Sequence, residues 1–197
     1  MRLKESGMPE EDEWERYFRP KETLLLMGLR KGMVFADLGC GYGTFALAGA
    51  EIVGKAGVIY AVDINRRMVE YVEKRNTMRG FRNIRAMRGD ITSLKRLGLP
   101  DQSVDFALLA NVFHGTRGKV GLLRGVARIL RPYGRIAIMN WKVCKTPRGP
   151  PIKIRPTPES TVSYLVRAGY RNAKVRDIPP YHYAVVALRP LATGAHR

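Results

Sequence analysis

Short apolar runs alternate with stretches of helical character along most of this chain, and that alternation restricts the possible folds more than any other feature. Val34-Phe35-Ala36 is followed by a glycine-rich turn and an apolar helix from about Thr44 to Val53. Val58–Val62, Ile84–Arg88, Val104–Ala110 and Arg135–Trp141 read as further strands, separated by helical patterns at Arg66–Met78 and about Val120–Leu130. Pro132 and Gly134 end the last of these helices. Strands that alternate with helices argue for a parallel sheet with helices on both faces. Runs that are apolar throughout, rather than at every second position, fit strands buried on both sides.

The rhythm changes after Trp141. Thr146 to Pro158 holds five prolines and reads as an extended loop. Pro158–Ala168 reads as a helix capped by Thr157. Val175–Ile178 and Tyr183–Leu188 are too close for a helical crossover, so they are expected to form an antiparallel hairpin. The expectation is therefore a doubly wound α/β fold, with a seven-stranded, mostly parallel sheet that ends in an antiparallel hairpin. Ahead of it, residues 1–28 read as a helical cap of two short helices broken by Pro20, with Trp14, Tyr17 and Phe18 clamping it to the body. Residues 29–190 form the main domain and 191–197 a tail.

With 197 residues and 45% hydrophobic side chains, the chain is long enough for one α/β domain with a core of its own. Two cysteines, Cys40 and Cys144, form neither a disulfide framework nor a metal-ligand cluster, so no metal site is expected and a reducing cytoplasm suits the chain. No apolar run approaches the roughly 18 residues of a membrane span. The formal net charge is +18, and seven of the 17 acids lie in the first 22 residues. That leaves a strongly basic body that suits a nucleic acid or an anionic small molecule as partner. An arginine-rich surface with a single glutamine, Gln102, also fits a thermophile's composition. Nothing in the sequence specifies an oligomeric state.

The chemistry is concentrated in Asp37-Leu38-Gly39-Cys40-Gly41-Tyr42-Gly43-Thr44. Alternate glycines let the backbone approach a ligand closely and take up positive φ at the carboxyl end of the first strand. Dinucleotide enzymes use a related loop around a pyrophosphate, but here the sixth position is Thr44 rather than glycine. Asp37, two residues before the first glycine, would repel a pyrophosphate and suits a cationic amino-acid moiety. Asp63 ends the second strand, where a carboxylate accepts both hydroxyls of a ribose, from NAD as readily as from any other adenosine ligand. Gly89-Asp90-Ile91 follows the third strand, where an acid and an apolar residue can bracket an adenine or Asp90 can simply cap a turn.

These motifs together resemble the class I methyltransferases that use S-adenosylmethionine (SAM), and in particular the broad group that includes the ubiquinone and menaquinone biosynthesis methyltransferases. The resemblance runs from about Arg30 to Leu188. It matches the family's glycine motif to Asp37–Gly43, its ribose acid to Asp63 and its adenine-side acid to Asp90. Its fourth-strand segment corresponds to Val104–Asn111, and its run into the fifth strand to Leu123–Ile138. The resemblance implies a Rossmann-like fold and SAM as cofactor, with S-adenosylhomocysteine as product. It implies a cofactor site built from Asp37, Gly39, Cys40, Gly41, Tyr42, Gly43, Asp63, Ile64, Gly89, Asp90, Ile91 and Asn111.

Methyl transfer needs alignment of the acceptor and, for some acceptors, removal of a proton. His114, in Asn111-Val112-Phe113-His114-Gly115, is the candidate general base, because this loop should border the methyl group and imidazole titrates near neutrality. Tyr181, His182 and Tyr183 form a second polar cluster expected to face the substrate, and Arg148 belongs to a cationic loop, Lys142–Arg155, that overhangs it. Arg124, Arg128, Arg131 and Arg135 form a possible basic stripe or simply a solvated helix face. The leading expectation is a methyltransferase for a small anionic, quinone-like or aromatic acceptor. An RNA or protein methyltransferase and a non-catalytic SAM-binding subunit are the alternatives. Amino methylation of adenine is disfavoured, since no Asn/Asp-Pro-Pro-aromatic motif follows the fourth strand. Arsenite methylation is disfavoured by the shortage of cysteines, and an NAD dehydrogenase by Asp37 and the terminal hairpin.

Overall fold

A computed structural model describes residues 18–190. Seven strands form one sheet in the order β3-β2-β1-β4-β5-β7-β6. They span Val34–Leu38 (β1), Val58–Asp63 (β2), Ile84–Arg88 (β3), Val104–Ala110 (β4), Leu130–Trp141 (β5), Arg171–Ile178 (β6) and His182–Leu188 (β7). The first five run parallel, and β7 pairs antiparallel with both β5 and β6. The helices are α1 (Pro20–Met27), α2 (Thr44–Val53), α3 (Arg66–Met78), α4 (Lys119–Ile129) and α5 (Pro158–Arg167).

Period-two alternation divides the strand side chains between two cores. Phe106 and Leu108 of β4 point to one face, where Phe35, Phe45 and Val72 join them beneath α1, α2 and α3. Ala107 and Leu109 point to the other, against Leu123 and Val126 of α4 and Leu165 of α5. Central strands covered on both faces must be apolar throughout, which is why the runs in the sequence lack alternation.

Local chemistry sets the helix boundaries. Asn65 caps α3 by accepting from Arg67 N at 3.0 Å, and Thr157 caps α5 by accepting from Ser160 N at 3.1 Å, with Pro158 in the first turn. Phe18 is helical, Arg19 is not, and Pro20 opens α1, where the first turn has no use for its missing N–H. Phe18 is buried against Phe45 and His182, and Leu24 and Met27 enter the same core as Phe35, so residues 18–28 are continuous with the body. Trp14, Tyr17, the rest of the expected cap and the 191–197 tail lie outside the described residues.

Two strands begin earlier than their apolar runs suggest. β5 starts at Leu130, which pairs with Val104, and a register shift separates this pair from Phe106↔Arg135. Arg131–Gly134 makes up the excess there, with Tyr133 at φ 62°, and Asp105 secures the irregularity. Its carboxylate accepts from Arg131 at 2.8 and 2.9 Å and from Val34 N at 2.8 Å, joining the starts of β1, β4 and β5. β6 starts at Arg171 and is mostly exposed at the sheet edge, so its first residues carry no apolar pattern. Among the described residues no helix is long and apolar enough to cross a membrane.

Phe106 lies at the centre of the sheet, with its ring 5.6 Å from that of Phe35. Phe106→Ala should lower unfolding free energy by about 3–5 kcal/mol. Urea unfolding of the two proteins checks this; a change under about 1 kcal/mol would mean the cavity closes by repacking.

Candidate active site

The carboxyl ends of β1, β2 and β4 meet where the glycine loop leaves β1. Gly39 N and Cys40 N both donate to Val62 O, at 2.7 and 3.0 Å, which fastens the loop to β2. Gly41 N donates to Asp63 Oδ2 at 2.9 Å, and Asn65 N to Asp63 Oδ1 at 2.8 Å. Each carboxylate oxygen retains a further acceptor position, enough for a pair of hydroxyls. Gly39 has φ 86°, and a Cβ there would lie 2.5 Å from Val112 Cγ1. The Val112 side chain, in the segment after β4, therefore occupies the space that a side chain at position 39 would need. A Cβ on Gly41, by contrast, would face open space.

Asp37 is 1% exposed, at the end of β1. Its pKa is raised to about 7, by burial first and the neighbouring Asp63 charge second, while the Ala46 backbone N–H pulls the other way. Its Oδ2 has no hydrogen-bond partner. Asn111, just past β4, has φ 57° and donates its backbone N–H to Met139 O at 2.9 Å. Its Oδ1 is likewise buried without a partner. Two unpaired buried acceptors at the ends of adjacent strands suit a ligand rich in donors, and an ammonium group most of all.

The remaining loop residues hold the site's shape. Tyr42 packs edge-on against Tyr71 at 5.2 Å, tying the loop to α3. Cys40 is buried, and burial together with Asp37 and Asp63 raises its thiol pKa, so it stays protonated. Gly43 N closes the turn onto Cys40 O at 2.9 Å. Gly89 N donates to Asp63 O at 2.9 Å, and a Cβ on Gly89 would overlap Leu97. Asp90 Oδ1 accepts from Thr92 N and Oγ1 at 2.8 and 2.7 Å, capping the 3-10 turn Ile91–Leu97. Ile64 is 63% exposed and Ile91 half-buried, at the neighbouring exits of β2 and β3. A cleft of about 600 Å³ opens here, lined by Ile64, Asn65, Arg66, Arg67, Glu70 and Arg88. The three arginines escape a motif-based reading because no short pattern marks them.

His114 sits half-buried in the 3-10 turn Phe113–Gly115. Burial, then Lys119, then Arg155 lower its pKa, which keeps the imidazole neutral. Lys119 Nζ donates to Thr116 O at 2.7 Å and lies over the Phe113 and Tyr164 rings at 5.5 and 5.8 Å. The sequence singles out His114 but not Lys119, whose relation to it depends on the turn folding back on α4.

The 181–183 cluster does not act as one polar group, and this corrects the sequence-based expectation. Neighbouring residues of β7 point to opposite faces. His182 is buried between Phe18 and Trp141, with its pKa lowered to about 3 by burial and then by Arg155 and Lys142. Tyr183 lies on the other face, and its buried hydroxyl donates to Pro156 O at 2.7 Å and contacts Thr161 Oγ1 at 2.9 Å. Tyr183 therefore anchors the segment before α5, with its hydroxyl engaged by Pro156 and Thr161. Tyr181 keeps partial exposure in the turn ahead of β7, and its carbonyl accepts from Lys142 N at 2.8 Å. Arg148 lies exposed in the loop after β5. The arginine stripe divides in the same way: Arg128 pairs with Asp101 and Arg131 with Asp105, which leaves no continuous cationic track. Among the described residues no group of three or more His, Cys, Asp or Glu side chains could hold a metal ion.

The sheet order, the antiparallel terminal hairpin and the glycine loop over Asp63 are those of the class I SAM-dependent methyltransferase fold. The chain belongs to the methyltransferase domain family, whose model matches residues 29–154. It is similar to a demethylmenaquinone methyltransferase of Anoxybacillus flavithermus, 27% identical over 120 residues that cover 61% of this chain and 49% of that protein. It is also similar to the ubiquinone/menaquinone biosynthesis C-methyltransferase UbiE of Azotobacter vinelandii, 29% identical over 129 residues covering 65% and 48%. The chain thus spans about half the length of these curated relatives. Among solved structures, a SAM-dependent methyltransferase from Aquifex aeolicus superposes with a TM-score of 0.85 at 27% identity, over 91% of this chain and 94% of that one.

An ammonium group pairs best with an ionised Asp37, so S-adenosylhomocysteine affinity should rise about tenfold per pH unit below pH 7 and level off above it. Calorimetry between pH 5.5 and 8.5 measures this, and Asp37→Asn should flatten the profile. The sign for folding is the reverse: Asp37's contribution to the stability of the ligand-free protein is fully present below about pH 3.8 and is lost as pH rises through about 7. Gly39→Ala should weaken binding at least tenfold by driving the loop away from Val112, and Val112→Ala in the same protein should restore part of the loss.

Proposed function

We propose that the protein transfers a methyl group from SAM to a small acceptor that is anionic, or becomes so on losing a proton, of the quinone-like or aromatic phenol class. The observation that carries this reading is His114, a neutral imidazole just past β4 in a field set by Lys119 and Arg155. Bound SAM supplies a sulfonium-activated methyl group and a neutral thioether as leaving group. Asp37 would hold the ammonium, Asp63 the ribose hydroxyls, Ile64 and Ile91 the faces of the adenine, and Asp90 its edge. His114 would take the proton from an acceptor O–H or acidic C–H, freeing the electron pair that bonds to the methyl carbon. Lys119 and Arg155 lower the energy of the anion so formed. Burial first, and then the charge of Lys119 and Arg155, keeps His114 from being protonated beforehand, so the base remains available below the usual imidazole pKa.

Alignment in such a site can contribute roughly 7–11 kcal/mol, and proton removal a further factor of about 10²–10⁴. The curated relatives are named for quinone biosynthesis, which favours a quinone-like acceptor. The ion-paired stripe on α4 and the start of β5 gives a nucleic acid no extended track, which weighs against an RNA substrate.

The test has two stages. Asp63→Ala should abolish binding of SAM and S-adenosylhomocysteine in calorimetry, with NADH binding to neither protein. With an accepted phenol or hydroquinone, His114→Asn should lower kcat about 10²–10⁴-fold while leaving S-adenosylhomocysteine affinity unchanged. Unchanged turnover would remove His114 from the chemistry; binding of NADH in place of SAM would overturn the whole reading.

A further inference from the structure

The loop between β5 and α5 has features that methyl transfer does not call for. From Lys142 to Pro158 it contains no acid. Val143, Ile152 and Ile154 are 47, 44 and 44% exposed, and Lys145, Arg148 and Lys153 are exposed among them. Exposed aliphatic side chains on a pliable loop would fold inward. Here they are held out, because Arg155 straps the loop from within. Its Nε donates to Pro150 O at 2.9 Å, its Nη1 to Lys142 O at 2.9 Å and Cys144 O at 3.0 Å, and its Nη2 to Thr146 Oγ1 at 2.8 Å. The guanidinium also lies 5.4 Å from the Trp141 ring centre, and Gly149 packs so closely on that ring that a Cβ would lie 2.8 Å from it. The loop is therefore tied together by Arg155, and it presents exposed aliphatic and cationic side chains with no acid among them.

From this arrangement we infer that residues 143–154 form a docking surface for an anionic phospholipid bilayer. The aliphatic tips enter the headgroup boundary and the lysines pair with lipid phosphates, a division of labour that interfacial elements share. A nucleic acid is a poorer match, since the exposed apolar groups are aliphatic and offer no ring on which bases stack. The loop follows β5 on the carboxyl edge of the sheet, the edge that carries Asp37 and Asn111, and its Arg155 is one of the charges acting on His114. A membrane bound here would lie on the edge of the sheet that carries His114, which would bring an apolar acceptor held in lipid close to it. The docking surface itself does not depend on which acceptor is used.

The full chain is sedimented with phosphatidylcholine vesicles that do or do not contain phosphatidylglycerol. Binding is expected only with the anionic lipid, with part of it surviving high salt because the apolar tips insert. Lys145→Glu/Lys153→Glu should weaken partitioning at least about thirtyfold, taking the usual contribution of two lysines near an anionic surface. Ile152→Asp/Ile154→Asp should remove the salt-resistant part. S-adenosylhomocysteine calorimetry on each variant reports the cofactor site separately, so loss of docking is distinguishable from loss of fold or cofactor binding. An independent probe needs no substitution: Cys144 is exposed and Cys40 buried, so a polarity-sensitive dye on Cys144 should shift to the blue on adding anionic vesicles. Absence of vesicle binding, variants that bind like the parent, an unshifted dye, or tighter binding to single-stranded RNA through the same lysines would each overturn the proposal.

Discussion

A carboxylate buried at the centre of a sheet is costly unless something pays for its isolation, and Asp37 is such a group. It ends β1 between β2 and β4, shielded from water and close to Asp63. Without ligand it sits at the balance point between charged and neutral near pH 7. A cation arriving at Oδ2 shifts that balance, adding the charge pairing that the fold itself withholds. The close approach of the glycine loop, the clasp of Gly41 on Asp63 and the unpaired Oδ1 of Asn111 all surround this group. The site is thus held ready by an unmet electrostatic demand rather than by a preformed bond.

The same economy connects distant segments. Gly39 touches Val112, and the turn that carries Val112 also carries His114. The cofactor loop and the turn that carries the candidate base therefore pack against each other, in addition to the pairing of β1 with β4 that brings them together. On the far side, Arg155 draws the post-β5 loop into one piece and adds its charge to the surroundings of His114. A buried guanidinium satisfied by carbonyls organises backbone without neutralising itself, so it serves as both strap and source of field.

Much of this was legible in the sequence because the signals are local. Strands buried on both faces are apolar throughout, caps such as Thr157 act within one turn, and a glycine loop that carries Asp37 needs no distant partner to be noticed. The early starts of β5 and β6 were not legible. Arg131–Gly134 joins β5 only because Asp105 receives Arg131 and Val34, and Arg171 pairs with Leu188 at an edge where apolar patterning is not required. Tyr181, His182 and Tyr183 look alike in a row, yet the pleat sends His182 into one core and Tyr183 into the other.

Sequence by itself determined the α/β class and singled out the glycine loop, its neighbouring acids and the histidine after β4, since each depends on residue type at short spacing. Tertiary structure decided which of the charged groups act together. It paired Arg128 and Arg131 with acids and placed Lys119 and Arg155 about His114. It also closed the loop on Arg155 and held Ile152 and Ile154 in solvent. The reason is physical: propensity and patterning act over a few residues, whereas electrostatic environment depends on what the folded chain brings within a few ångströms, and no short stretch of sequence records that.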